Sequence, residues 1–156
     1  IRIGCGFVQG LAFATGLPVV PVPSLLALAE QSGASRVVAA LDARMGETYL
    51  AAYSRMGGDW SVVLPPQLAR EGALPALPGR DWVATGSGFD AFDWLRAAYA
   101  PQVSHRLESD LPRAGSVARV ATRAFLRGEG LPAEEAAPLY LRDKVALTIE
   151  ERLPAP

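Results

Sequence analysis

From residue 3 to residue 29 the chain carries no charged side chain, and this run constrains the fold more than any other feature. Its length alone would suit a membrane helix. However, Gly4, Gly6, Gly10 and Gly16 are followed by Pro18, Pro21 and Pro23, and no unbroken helix of spanning length survives that punctuation. Helix, strand, helix fits better. Ile1 to Ala14 reads as a helix that is apolar nearly all round, with Gln9 the main exception, stopped at Gly16-Leu17-Pro18. Val19 to Val22 reads as a short buried strand, irregular because Pro21 removes a ladder donor. Leu25 to Gln31 reads as a second apolar helix, capped by Ser24 and ending around Gly33. This α-β-α piece has no sheet of its own. Without an initiator methionine or a basic leader, it does not read as a signal peptide.

A different pattern starts at Arg36. VVAAL is a continuous apolar strand, ETYLAAY alternates, and WSVVL follows the Gly57-Gly58 turn, which predicts a three-stranded antiparallel meander. A short helix is expected near Pro66 to Arg70, then a Pro/Gly-rich loop through Gly79, the strand WVAT and a helix from about Phe89 to Tyr99. VSHRL, residues 103 to 107, predicts another strand, and Ser116 to Arg127 a helix stopped by Gly128. Three meandering strands followed by helix, strand, helix, strand, helix is the order of a ribonuclease H-like α/β unit. The last residues hold one extended apolar run and a frayed, proline-bearing end.

Half of the residues are hydrophobic and 20% are charged, which suits one or two globular units with real cores. Fifteen basic against 16 acidic side chains give a net charge of -1 and a pI near 5.9. No global basic field advertises nucleic acid, so any RNA contact must be local. Cys5 and His105 are each the only residue of their kind, leaving no disulfide framework and no zinc cluster, and a reducing cytoplasm is the expected compartment. His105 lacks a matching nucleophile and acid and reads as structural. The pairs Glu134-Glu135 and Glu150-Glu151 adjoin loop or tail and carry no general-acid signature.

Four features invite a functional reading beside a structural one. Gly6, Gly10 and Ala14 recur every four positions and line one helix face with Ile3, Phe7 and Phe13 beside them. That face either packs on the chain's own sheet or meets a partner chain. The opposite face, Cys5, Val8, Leu11 and Ala12, is apolar too, and only one of the two can lie on that sheet. Next, LDARMGETYLAAY places Asp42, Arg44 and Glu47 around Gly46 between two strands: a hairpin with solvated charges, or a degenerate phosphate loop. ATGSGFDAF sets Gly86, Ser87 and Gly88 between strand and helix, either an ordinary turn capped by Ser87 or Asp90 or a way to present N–H groups to an anion. Finally, Arg119, Arg123 and Arg127 form an i, i+4 row, either a solvated face or a contact for RNA phosphate.

RIGCGFVQGLAFATGLPVVPVPSLLALA, LDARMGETYLAAY and APLYLRDKVA occur in this order and closely resemble successive motifs of the bacterial TsaB (YeaZ) family. In that family the first motif follows a GSFTG-type loop and an N-terminal meander, so the chain resembles a member lacking its first strands. The resemblance implies tandem actin-like ATPase superfamily (ribonuclease H-like) domains, the first incomplete. Residues 1–33 would be its remnant, 34–130 the second domain and 131–156 an extended C-terminal tail. It also implies a role in forming threonylcarbamoyladenosine in ANN-decoding tRNAs, as a non-catalytic scaffold. Its implied partners are the catalytic paralogue TsaD and the ATPase TsaE, with tRNA reached through the complex and a homodimer possible in isolation. The resemblance implies no cofactor, and it places the pairing on the Ile3, Gly6, Phe7, Gly10, Phe13 and Ala14 face. The competing readings are an ATP-dependent kinase or acyl transferase using Asp42 and the Gly86 to Gly88 turn, and a glycoprotease-like peptidase, which the missing metal ligands disfavour.

Overall fold

A computed structural model describes residues 2–108 and 111–142 of the chain. Its centre is the strand Arg36–Arg44 (β1), whose residues Val37, Val38, Ala39 and Ala40 are all fully buried. An uninterrupted apolar run has this meaning in a strand covered on both faces. β1 pairs antiparallel with Glu47–Met56 (β2), and β2 pairs antiparallel with Asp59–Arg70 (β3). On its other side β1 pairs parallel with Trp82–Thr85 (β4), which pairs parallel with Val103–Arg106 (β5). The sheet order β3-β2-β1-β4-β5 is that of a ribonuclease H-like unit, and its first three strands form the expected meander.

Alternation along β1 and β2 divides the core in two. Val37, Ala39, Ala51 and Tyr53 face the helix Ser24–Ser32 (α2) through Leu25, Leu28 and Ala29. Val38, Ala40, Leu50, Ala52 and Ala84 face the opposite way, onto Phe89, Leu95 and Tyr99. The latter side chains come from two short helices, Gly88–Ala91 (α3) and Asp93–Tyr99 (α4). A long helix, Ala114–Leu126 (α5), packs against α2. The first helix, Arg2–Thr15 (α1), packs against the 3-10 turn Ala133–Glu135 rather than on the sheet. Among the described residues no helix is long and apolar enough to cross a membrane.

Several local expectations are corrected. The helix near Pro66 to Arg70 is instead the end of β3. Leu50 pairs with Gln67 and Ala52 with Leu64, so Pro65 and Pro66 together oppose Ala51 in a bulge on an edge strand, where missing N–H donors are tolerated. The Phe89 to Tyr99 helix is broken at Phe92, which takes an extended conformation (φ -127°, ψ 112°) and stacks its ring on Trp94. Val19 to Val22 forms no strand. Only Val19 is bridged, exchanging two 2.8 Å hydrogen bonds with Leu131, because Pro18, Pro21 and Pro23 leave too few donors for a ladder. Ser24 is the first helical residue rather than the cap. Pro23 precedes it, and the Pro23 carbonyl accepts from the Leu26 and Ala27 amides. Of the extended tail expected over 131–156, residues 143–156 lie outside the described residues, as do the Glu150-Glu151 pair and Ile1.

Candidate functional site: the α1 face and the β1–β2 turn

Both apolar faces of α1 stand away from the sheet, against the expectation that one of them would lie on it. The helix buries a narrow stripe, Cys5, Gln9 and Ala12, at i, i+4, i+7 spacing. Gln9 Nε2 donates to the Ala136 carbonyl at 2.8 Å. On the glycine face Ile3, Phe7 and Phe13 are 91%, 71% and 83% exposed. A Cβ built on Gly4, Gly6 or Gly10 would meet no atom within 4 Å among the described residues. Nothing described in this chain therefore requires glycine there, although each costs about 1 kcal/mol relative to alanine inside a helix. On the opposite face Val8 and Leu11, with Leu17, Val19, Ala121 and Phe125, line an open groove of about 440 Å³ between α1 and α5.

The turn between β1 and β2 is a hairpin. Asp42 pairs with Thr48 and Arg44 with Glu47 across a bulge. Arg44, Met45 and Gly46 all adopt left-handed φ (65°, 59° and 74°). The Asp42 carboxylate folds back on its own turn. Its Oδ1 accepts from the Arg44 amide at 2.8 Å, and the Asp42 amide donates to Ser87 Oγ at 3.1 Å. The charges are not simply solvated either, because Arg142 from the far end of the chain fills the turn. Its Nη2 donates to Glu47 Oε2 at 2.6 Å and to the carbonyls of Ala43 and Arg44 at 3.0 and 3.4 Å.

The Gly86-Ser87-Gly88 turn lies directly against this hairpin. A Cβ on Gly86 (φ +97°) would come within 2.2 Å of the Ala40 carbonyl oxygen, and one on Gly88 within 2.5 Å of Thr48 Oγ1. Ser87 holds the N-cap position of α3, but its hydroxyl serves Asp42 rather than the helix. Downstream amides of the turn are already spent: Phe89 N donates to Gly86 O, and Asp90 N and Ala91 N to Ser87 O. The two glycine-bearing turns are thus packed closely and joined by the Asp42 amide and the Ser87 hydroxyl.

The arginine row converges on acids of this same chain. Arg123 binds both oxygens of Glu30 (3.2 and 2.6 Å), and Arg119 Nε lies 3.3 Å from Glu30 Oε1. Arg127 pairs with Asp59 and Glu129. Sequence reasoning missed Glu30 and Arg142. Glu30 is the only acid among the first 41 residues, a signal that an uncompensated basic row elsewhere needed it. Arg142 sat within a recognised motif without its target being visible. Among the described residues no group of His, Cys, Asp or Glu side chains is arranged to hold a metal ion.

Comparison with known proteins extends these observations. The family model described as TsaD, tRNA N6-adenosine threonylcarbamoyltransferase, matches residues 1–149. The tRNA threonylcarbamoyladenosine biosynthesis protein TsaB of Escherichia coli is 37% identical over 94% of this chain, and that of Haemophilus influenzae 32% over 93%. The chain spans 66% and 65% of their respective lengths. Among solved structures, a Pseudomonas aeruginosa protein described as uncharacterized with similarity to peptidase YeaZ superposes with a TM-score of 0.78 at 37% identity, covering 90% of this chain and 67% of its own. YeaZ from the same organism gives 0.75 at 34%, covering 90% and 68%. By sequence, by fold and by the order of its motifs, the chain belongs to the TsaB (YeaZ) family within the wider TsaD class.

Proposed function

We propose that this chain acts in the formation of threonylcarbamoyladenosine in ANN-decoding tRNAs as a non-catalytic scaffold subunit, pairing through α1 with the catalytic paralogue TsaD and recruiting the ATPase TsaE. The observation that carries this reading is the glycine face of α1: three large apolar side chains held in solvent beside glycines that no described atom approaches. Close approach by another helix is what such a face admits. Burying Ile3, Phe7 and Phe13 would contribute roughly 5 to 9 kcal/mol before the cost of association is subtracted.

The accessory rather than enzymatic role is supported by the state of the β1–β2 turn. A phosphate loop offers free N–H groups and an acid directed at a metal, whereas here Asp42 accepts from the Arg44 amide and its own amide donates to the Ser87 hydroxyl. tRNA is then reached through the assembled complex. Direct contact by Arg119, Arg123 or Arg127 would compete with their pairs to Glu30, Asp59 and Glu129. Reconstituted tRNA modification with the purified paralogue and ATPase tests the reading. Modification should depend on this chain, survive Asp42→Ala and fail with Phe7→Asp. Loss of modification with Asp42→Ala in a folded protein would reject the non-catalytic role.

A further inference from the structure

The segment from Ala136 to Arg142 touches two separate parts of the molecule. At one end the buried Ala136 offers its carbonyl to Gln9 in the middle of α1, and Tyr140 lies under the guanidinium of Arg2, 5.6 Å from the ring centroid, with its hydroxyl accepting from Arg2 Nε at 3.1 Å. At the other end is Arg142, whose side chain is only 11% exposed. Four acceptors of the β1–β2 turn surround its terminal nitrogens: the Ala43 and Arg44 carbonyls, Glu47 Oε2 and, at 3.0 Å from Nη1, Met45 Sδ. Two carbonyls converge on one Nη atom where three successive residues take left-handed φ, two of them not glycine, a conformation that L side chains rarely adopt. In the ribonuclease H-like frame this turn could gather N–H groups around an anion, but here it gathers oxygens around a cation. A planar fork with several donors fits four spread acceptors, whereas a lysine ammonium is a single point of charge.

We propose that the 42–47 turn is a guanidinium-binding cradle occupied in cis by Arg142, and that this contact fastens residues 136–142 as a strap holding α1 to the body of the protein. The helix needs such a fastening, because its described packing is on the 133–136 turn and not on the sheet. The inference concerns how α1 is held and requires no partner, so it stands or falls separately from the scaffold assignment.

Hydrogen exchange of the full chain tests it, comparing wild type with Arg142→Ala, Arg142→Lys and Glu47→Gln. Arg142→Ala should speed exchange of residues 2–15 and of the 42–47 turn by about tenfold or more while β1 and α2 stay protected. Arg142→Lys should recover little of the loss, and Glu47→Gln should reproduce part of it without altering the strap itself. Millimolar methylguanidinium added to Arg142→Ala should re-protect the turn but leave α1 fast, since a free cation fills the cradle without the tether. Unchanged α1 exchange in both Arg142→Ala and Glu47→Gln would overturn the strap. A turn indifferent to methylguanidinium, with Arg142→Lys matching wild type, would overturn the cradle.

Discussion

Arg123 Nη2 lies 2.6 Å from Glu30 Oε2, and this pair joins α5 to α2 beneath the edge of the sheet. Glu30 is only 7% exposed. Its carboxylate also accepts from Trp60 Nε1 at 2.8 Å and lies 3.5 Å from Arg55 Nη1. Burial alone would raise its pKa, but hydrogen bonds from Arg123 and Trp60 and the charges of Arg123 and Arg55 prevail and lower it to about 2. A depressed folded-state pKa contributes stability that is present above the unfolded value near 4.5 and is lost as pH falls toward 2.

Glu30→Gln should therefore destabilise the chain by about 2 to 3 kcal/mol at pH 7, since it leaves clustered arginines uncompensated. The difference between the two proteins should shrink as pH is lowered from 4.5 toward 2. Urea unfolding midpoints measured across that range check it, and a difference that stays constant with pH would contradict the assignment.

Two glycines should behave in opposite ways. Gly86→Ala forces a Cβ within 2.2 Å of the Ala40 carbonyl at a φ of +97°, so it should cost more than about 3 kcal/mol or prevent folding. Gly10→Ala meets open space and should stabilise the free chain by up to about 1 kcal/mol. Thermal melts of both variants decide this.

Tyr53 is 1% exposed, and among the described residues its hydroxyl has no hydrogen-bond partner. Burial pushes its pKa well above the usual phenol range. Tyr53→Phe should leave stability unchanged or raise it by up to about 1 kcal/mol, because a desolvated polar group is removed and the ring remains. A chemical denaturation curve showing a loss above that amount would reveal a partner for the hydroxyl.

The contrast between what was and was not legible in the sequence follows the range of the forces involved. The meander, α5 and the apolar run of β1 are local periodicities, and Val37 to Ala40 announce two-sided burial by themselves. The Pro65-Pro66 pair misled because its meaning depends on β3 being an edge strand with a bulge opposite Ala51. The arginine row looked like a free basic face because Glu30 lies 89 to 97 residues away from its nearest and farthest members by number, yet touches two of them. The β1–β2 turn was recognisable as a hairpin, but its occupant Arg142 lies 95 residues from Glu47. A pairing of that range leaves no periodic trace in either segment.

The central claim is that the glycine face of α1 is a surface for another chain, and light scattering on a sizing column tests it most directly. The protein would be run alone and mixed with the TsaD paralogue, beside Gly10→Leu, which the open space around Gly10 should let fold normally. The account predicts a one-to-one complex with the wild-type chain and none with Gly10→Leu at the same concentrations. An equally stable complex with folded Gly10→Leu, or no complex with either, would contradict it.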